Sequence, residues 1–74
     1  MENQWSVALF YSTSVAIRAE SLAQQAGLTV KLIPVPRQLS SDCGVCLRFE
    51  TGDTDDMRAI LEDKNVECDI IEPL

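Results

Sequence analysis

Apolar and polar positions change period several times along the chain, and each change marks an element. Residues 5–11, WSVALFY, form an apolar run of strand length, rich in aromatic and β-preferring side chains. The STS at 12–14 supplies helix caps: Ser12 or Thr13 is placed to accept a first-turn amide. From there Val15, Ala19, Leu22 and Ala26 recur at helical spacing. Ala16, Ile17 and Ala23 widen the stripe, while Arg18, Glu20, Gln24 and Gln25 fall on the water side. Gly27 is the expected left-handed stop. Leu28, Val30 and Leu32 then alternate with Thr29 and Lys31 as a second strand, which Pro34 and Pro36 are expected to end.

After a loop, Val45, Leu47 and Phe49 alternate with Cys46, Arg48 and Glu50, a two-residue period that predicts a third strand. Thr51-Gly52 turns the chain. Asp53 or Thr54 is expected to cap a second helix with Asp55 and Asp56 at its positive end and Met57, Ile60 and Leu61 on its buried side. Asn65 is the expected terminus, and Val66, Cys68 and Ile70 predict a last strand on one shared face. The elements are thus strands at about 5–11, 28–33, 45–50 and 66–71 and helices at about 14–26 and 54–64, in one domain spanning residues 1–74. The order β-α-β-β-α-β predicts an α+β fold of the ferredoxin-like type. Right-handed crossovers favour a four-stranded antiparallel sheet in spatial order 4-1-3-2 with both helices on one face.

Composition narrows the partners. Six basic residues oppose twelve acidic ones, for a formal charge of −6, and the basic residues are scattered, so neither nucleic acid nor an anionic membrane is an expected partner. The acid content suits a basic partner protein. With 74 residues and 46% hydrophobic positions the chain folds around a thin core, and pairing into a homodimer through the open sheet face, with Trp5, Phe10 and Cys46, is an expectation, core packing being the competing reading of Trp5 and Phe10. Neither a secretory leader nor an apolar run of membrane length is read in the chain, and three cysteines, an odd number, suit a reducing compartment, so a cytoplasmic location is expected.

The chemistry concentrates in SSDCGVC, residues 40–46. In the expected topology the end of strand one, the start of helix one and the start of strand three meet at one end of the domain. That brings Ser12, Thr13 and Ser14 toward Ser41, Asp42, Cys43 and Gly44, with Arg37 able to fold over the same end. A cysteine beside helix-start amides and a guanidinium favours its thiolate, the reactive form, and Asp42 opposes this. The bland alternative is a small residue at a tight joint. A dithiol redox pair of Cys43 with Cys46 is a further alternative. Strand parity points Cys43 toward the helices and Cys46 toward the open face, and three residues of extended chain span about 10 Å, too far for a disulfide without a bulge. With no histidine in the chain, a metal site would need Cys43, Cys46 and Cys68 together with Asp42, and neither a metal nor a cofactor is expected. The absence of histidine also removes a hydrolytic triad of the usual form.

The segments FYSTS, GLTVKLIPVPR and LSSDCGVCLRF, with the Ala19-Glu20 pair between them, resemble a small family of selenium or sulfur carrier-like proteins over roughly residues 6–71. VPRQLSSDCG at 35–44 is the most specific portion. The resemblance implies a cytoplasmic carrier that holds sulfur or selenium as a persulfide-type adduct. It matches the family cysteine to Cys43, the glycine after it to Gly44, the upstream proline and arginine to Pro36 and Arg37, the paired serines to Ser40 and Ser41, and the helix start to Ser12 and Thr13. Many relatives carry a histidine where this chain has Ser14. The expectation is a carrier or thiol-transfer protein rather than a true enzyme. Cys43 is its acceptor thiol, Arg37, Ser12, Thr13, Ser14 and Gly44 surround it, Cys46 is a possible second thiol, and sulfur or selenium donor and acceptor proteins are the partners. The competing expectation is an accessory domain that binds a protein partner or dimerises.

Overall fold

The computed structural model describes residues 4–37, 39 and 44–74. Its elements run β1 (Trp5–Leu9), α1 (Thr13–Gln25), β2 (Val30–Pro34), β3 (Val45–Glu50), a one-turn 3-10 helix (Thr51–Asp53), α2 (Thr54–Asp63) and β4 (Ile70–Pro73). The sheet order is β2-β3-β1-β4, and every neighbouring pair is antiparallel. This is the ferredoxin-like topology that the element order predicts.

Both helices pack on one face. Ala8 and Phe10 of the first strand segment and Leu47 and Phe49 of β3 meet Ala16, Ala19 and Ala23 of α1 and Met57 and Leu61 of α2 in one cluster. Three alanines in the contact stripe let α1 lie close on the sheet, because no side chain there reaches beyond a methyl group. The outer members of the expected stripe do not join it: Ile17 is 51% exposed, and Ala26 is exposed as the residue that caps the helix end. Phe10, for which the sequence leaves the open face and the core as alternatives, is fully buried on the helix side. It lies one residue past β1 and shares the parity of Ser6 and Ala8.

The helix ends explain where the strands begin. Ser12 stands in extended backbone (φ −152, ψ 159) and its hydroxyl accepts the Val15 amide at 3.3 Å. At the other end Gly27 takes φ 88, its amide donates to the Gln24 carbonyl and the Leu28 amide donates to the Ala23 carbonyl, both at 3.0 Å. That pair of bonds is a Schellman stop. α2 ends the same way on a non-glycine: Asn65 has φ 54, and the amides of Asn65 and Val66 donate to Glu62 and Leu61. Val66 is therefore consumed in closing the helix, and β4 starts at Ile70, not at Val66 as the alternation suggests. The parity of the last strand follows from that delay: Ile71 packs toward the helices, and Ile70 is 39% exposed. At the start of α2 the Asp53 side chain makes no capping bond; the Thr54 hydroxyl instead donates to the Thr51 carbonyl at 2.7 Å.

Pro34 and Pro73 lie inside β2 and β4 rather than after them. Both strands are edges, where a missing amide costs no ladder bond on the outer side and discourages pairing with another chain. The opposite face is not bare. Val7, Leu9 and Cys46 are fully buried there beneath Ile33, Val35 and Leu39, so the chain after β2 folds back as a flap over one end of its own sheet. The Val35 amide donates to the Gly44 carbonyl at 3.3 Å, and the Leu39 amide donates to the Pro36 carbonyl at 3.0 Å.

Replacing Phe10 by alanine is expected to cost about 3–5 kcal/mol of unfolding free energy by cavity formation, whereas Ile17→Ser, on the solvent side of α1, changes it by less than about 1 kcal/mol. Urea unfolding of the two variants checks the placement of both residues.

Candidate functional site

The antiparallel register gathers one end of the sheet. Leu9, the last residue of β1, faces Cys46 on one side and Ile70 on the other, and Pro34 at the end of β2 faces Val45. Chain that leaves β1 and β2, or enters β3 and β4, therefore does so at the same end. Tyr11, Ser12, Thr13 and Ser14 are all exposed there, and Gly44 is exposed at the entry to β3. Arg37 is exposed in the flap turn that Val35 ties to Gly44. The positive end of the α1 macrodipole opens at this end too, with one of its amides, that of Val15, already taken by the Ser12 cap. Ser40, Ser41, Asp42 and Cys43 lie outside the described residues.

Nothing local demands glycine at position 44. Its φ lies outside the left-handed range, and a Cβ there meets no described atom within 4 Å.

The two described cysteines, Cys46 and Cys68, lie on opposite faces of the sheet. Cys46 is fully buried on the face away from the helices, the parity that sequence predicts, but the flap seals it instead of leaving it open. Its sulfur lies 4.0 Å from the Pro34 carbonyl. Cys68 is partly buried against the helix-side core, and its thiol donates to the Leu9 carbonyl at 3.4 Å and the Ile70 carbonyl at 3.5 Å. Its pKa is pushed from the ordinary 9.0 up to about 11, chiefly by loss of water and secondly by Asp69, against a smaller opposing pull from Arg58. At neutral pH Cys68 is a protonated hydrogen-bond donor and a poor nucleophile. Among the described residues no three histidine, cysteine or carboxylate side chains come together as metal ligands would.

Sequence reasoning missed two features. The Arg48 guanidinium lies over the Trp5 ring, 4.3 Å from its centroid, with its Nε buried and unpartnered. This stacking closes the open face beside the flap. The second is a groove of about 300 Å³ between α2 and β4, with Leu61, Val66, Cys68 and Ile71 inside and Arg58, Glu62, Asp69 and Ile70 around it. Its only advance signal is the acid-rich, apolar-interrupted stretch of residues 61–71, which carries no periodicity that would place a cavity.

A family model described as "Putative Se/S carrier protein-like" matches residues 6–72. No curated protein and no solved structure matches the chain at a significant level. No described helix is long and apolar enough to cross a membrane.

The raised Cys68 pKa has a direct consequence for stability. Below about pH 9 the thiol is protonated both folded and unfolded, and its contribution is intact. Between about pH 9 and 11 only the unfolded chain releases the proton, so stability falls as pH rises through that window. Denaturant unfolding across pH 8–11 is expected to show a shallower alkaline decline for Cys68→Ala than for the native chain. Equal slopes would contradict the assignment.

Proposed function

The chain belongs to the Se/S carrier-like family, and from that membership we propose that it carries a sulfur or selenium atom as a persulfide-type adduct on Cys43. The observation that supports this residue is the fate of the other two thiols. Cys46 is sealed from water, and Cys68 is kept protonated chiefly by its loss of water. A carrier needs a reachable thiolate, and of the three cysteines only Cys43, one residue before the exposed Gly44, is left to supply it. Cys46 accordingly takes no part in the proposed chemistry.

Loading is a thiol–persulfide exchange. The Cys43 thiolate attacks the terminal sulfur of a donor persulfide, a new S–S bond forms on Cys43, and the donor leaves as its thiolate. Delivery is the same exchange in reverse, onto an acceptor thiol. The donor and acceptor are proteins that bring their own thiol to this end of the sheet. Arg37 and the α1 start at Ser12, Thr13 and Ser14 supply positive potential and hydroxyl donors for the anionic adduct. Gly44 leaves the approach to the sulfur unobstructed. With no histidine in the chain, proton transfer falls to solvent or to the partner.

Intact-mass analysis after incubation with a low-molecular-weight persulfide donor tests the reading. The native chain and a Cys46→Ser/Cys68→Ser double variant are expected to gain about 32 Da per sulfur carried, and Cys43→Ser to gain nothing. An adduct that persists in Cys43→Ser contradicts the assignment, as does its absence from the native chain. Arg37→Ala is expected to slow loading severalfold while leaving unfolding free energy within about 0.5 kcal/mol of native.

A further inference from the structure

The chain's net charge is not spread over the fold. Eight of its twelve acidic residues and only two of its six basic ones fall in residues 53–72, so that segment holds the whole formal charge of −6 and the remainder is neutral. The segment contains α2, the connection after it and most of β4. The groove of about 300 Å³ opens between α2 and β4, in the middle of this acidic surface.

We propose that this groove docks a basic segment of a partner protein by taking one of its apolar side chains. The lining is mixed: Leu61, Val66 and Ile71, which belong to the helix-side core or pack on it, supply its apolar side, Ile70, 39% exposed, extends that side outward, and Arg58, Glu62 and Asp69 supply the polar side. The volume is at the small end of the range for ligand sites and is ample for one large side chain. The hydrogen bonds of the Cys68 thiol are already spent on Leu9 and Ile70, so it presents a neutral wall.

Charge selects the occupant. Glu62 and Asp69 stand on the rim, with Asp63 and Glu67 in the same segment. Among the described residues the one ion pair is Lys64–Asp63 at 3.8 Å, so Glu62, Glu67 and Asp69 are left without a cation. Clustered like charges of this kind repel one another and draw a complementary partner, and they raise the rate of its encounter. Arg58 is the single cation on the rim and meets a carbonyl or carboxylate of the bound segment, not a lysine. The same field repels nucleic acid and anionic lipid.

The groove lies at the end of the sheet described above: the Leu9 carbonyl that accepts the Cys68 thiol belongs to the residue paired with Cys46. Two strand spacings, about 10 Å, separate β4 from β3 at that level. A segment seated in the groove therefore brings its protein next to the entry of β3. The docking itself does not depend on the chemistry proposed for Cys43.

The test titrates the full-length, 15N-labelled chain with an acetylated peptide of roughly twelve residues, lysine-rich with one central phenylalanine, and with the same peptide carrying serine in place of phenylalanine. The phenylalanine peptide is expected to give saturable amide shifts centred on Arg58–Glu62 and Val66–Ile71. The serine peptide is expected to bind about tenfold more weakly. Ile70→Ser and Glu62→Lys, both at exposed positions and each confirmed folded by its spectrum, are expected to weaken the phenylalanine peptide at least about fivefold. The proposal is overturned if the two peptides bind alike with shifts spread over Asp53–Asp56, if neither gives a saturable shift at about 1 mM, or if the folded variants bind as the native chain does.

Discussion

The pairing of β1 with a strand on each side governs the rest of the molecule. Its last residue, Leu9, faces Cys46 on one flank and Ile70 on the other. The Leu9 carbonyl also accepts the Asp69 amide at 2.7 Å and the Cys68 thiol at 3.4 Å. Because β3 and β4 both run antiparallel to β1, both must begin where β1 ends. That one constraint puts the start of α1, the entry to β3 and the groove beside β4 at a single end of the sheet. Parallel pairing would have sent the entries of β3 and β4 to the far end, away from Ser12.

The same arrangement sorts Cys46 and Cys68 by environment. Strand parity sends Cys46 to the face away from the helices, where the flap after Pro34 seals it under Val35 and Leu39. The connection into β4 turns Cys68 inward against backbone carbonyls, and loss of water then holds its proton. A fold that buries Cys46 and holds the proton on Cys68 protects both sulfurs from side reactions such as oxidation. The neutral three-quarters of the chain and the acidic remainder are also set apart in the fold, and the two proposals divide along that line: partner recognition at α2 and β4, sulfur chemistry at the strand ends beside them.

Much of the fold was legible in the sequence because local signals agreed with tertiary needs. Val45, Leu47 and Phe49 alternate through β3 as written, and the alanine stripe of α1 with Gly27 behind it names both the buried side and the stop. β4 misled because Val66, Cys68 and Ile70 alternate perfectly, yet a helix stop on Asn65 consumes Val66 first and shifts the parity to Ile71. Phe10 stayed ambiguous because the strand ends at Leu9, so its burial is set by α1 and α2 rather than by a sheet partner. The flap was invisible for a different reason. Val35 and Leu39 sit among prolines in a stretch without periodicity, and only the assembled face of Val7, Leu9 and Cys46 gives them something to cover. Of the candidate site, the convergence of Ser12–Ser14 with Gly44 follows from topology and was readable, whereas the burial of Cys46 and the groove beside Cys68 arise from packing between distant elements.

The most direct measurement is the order in which the three native thiols react with sub-stoichiometric iodoacetamide at pH 7, resolved by peptide mass mapping. Cys43 is expected to be labelled first, Cys68 far more slowly, and Cys46 only under denaturing conditions. Labelling of Cys46 or Cys68 at or before the rate of Cys43 would contradict the account.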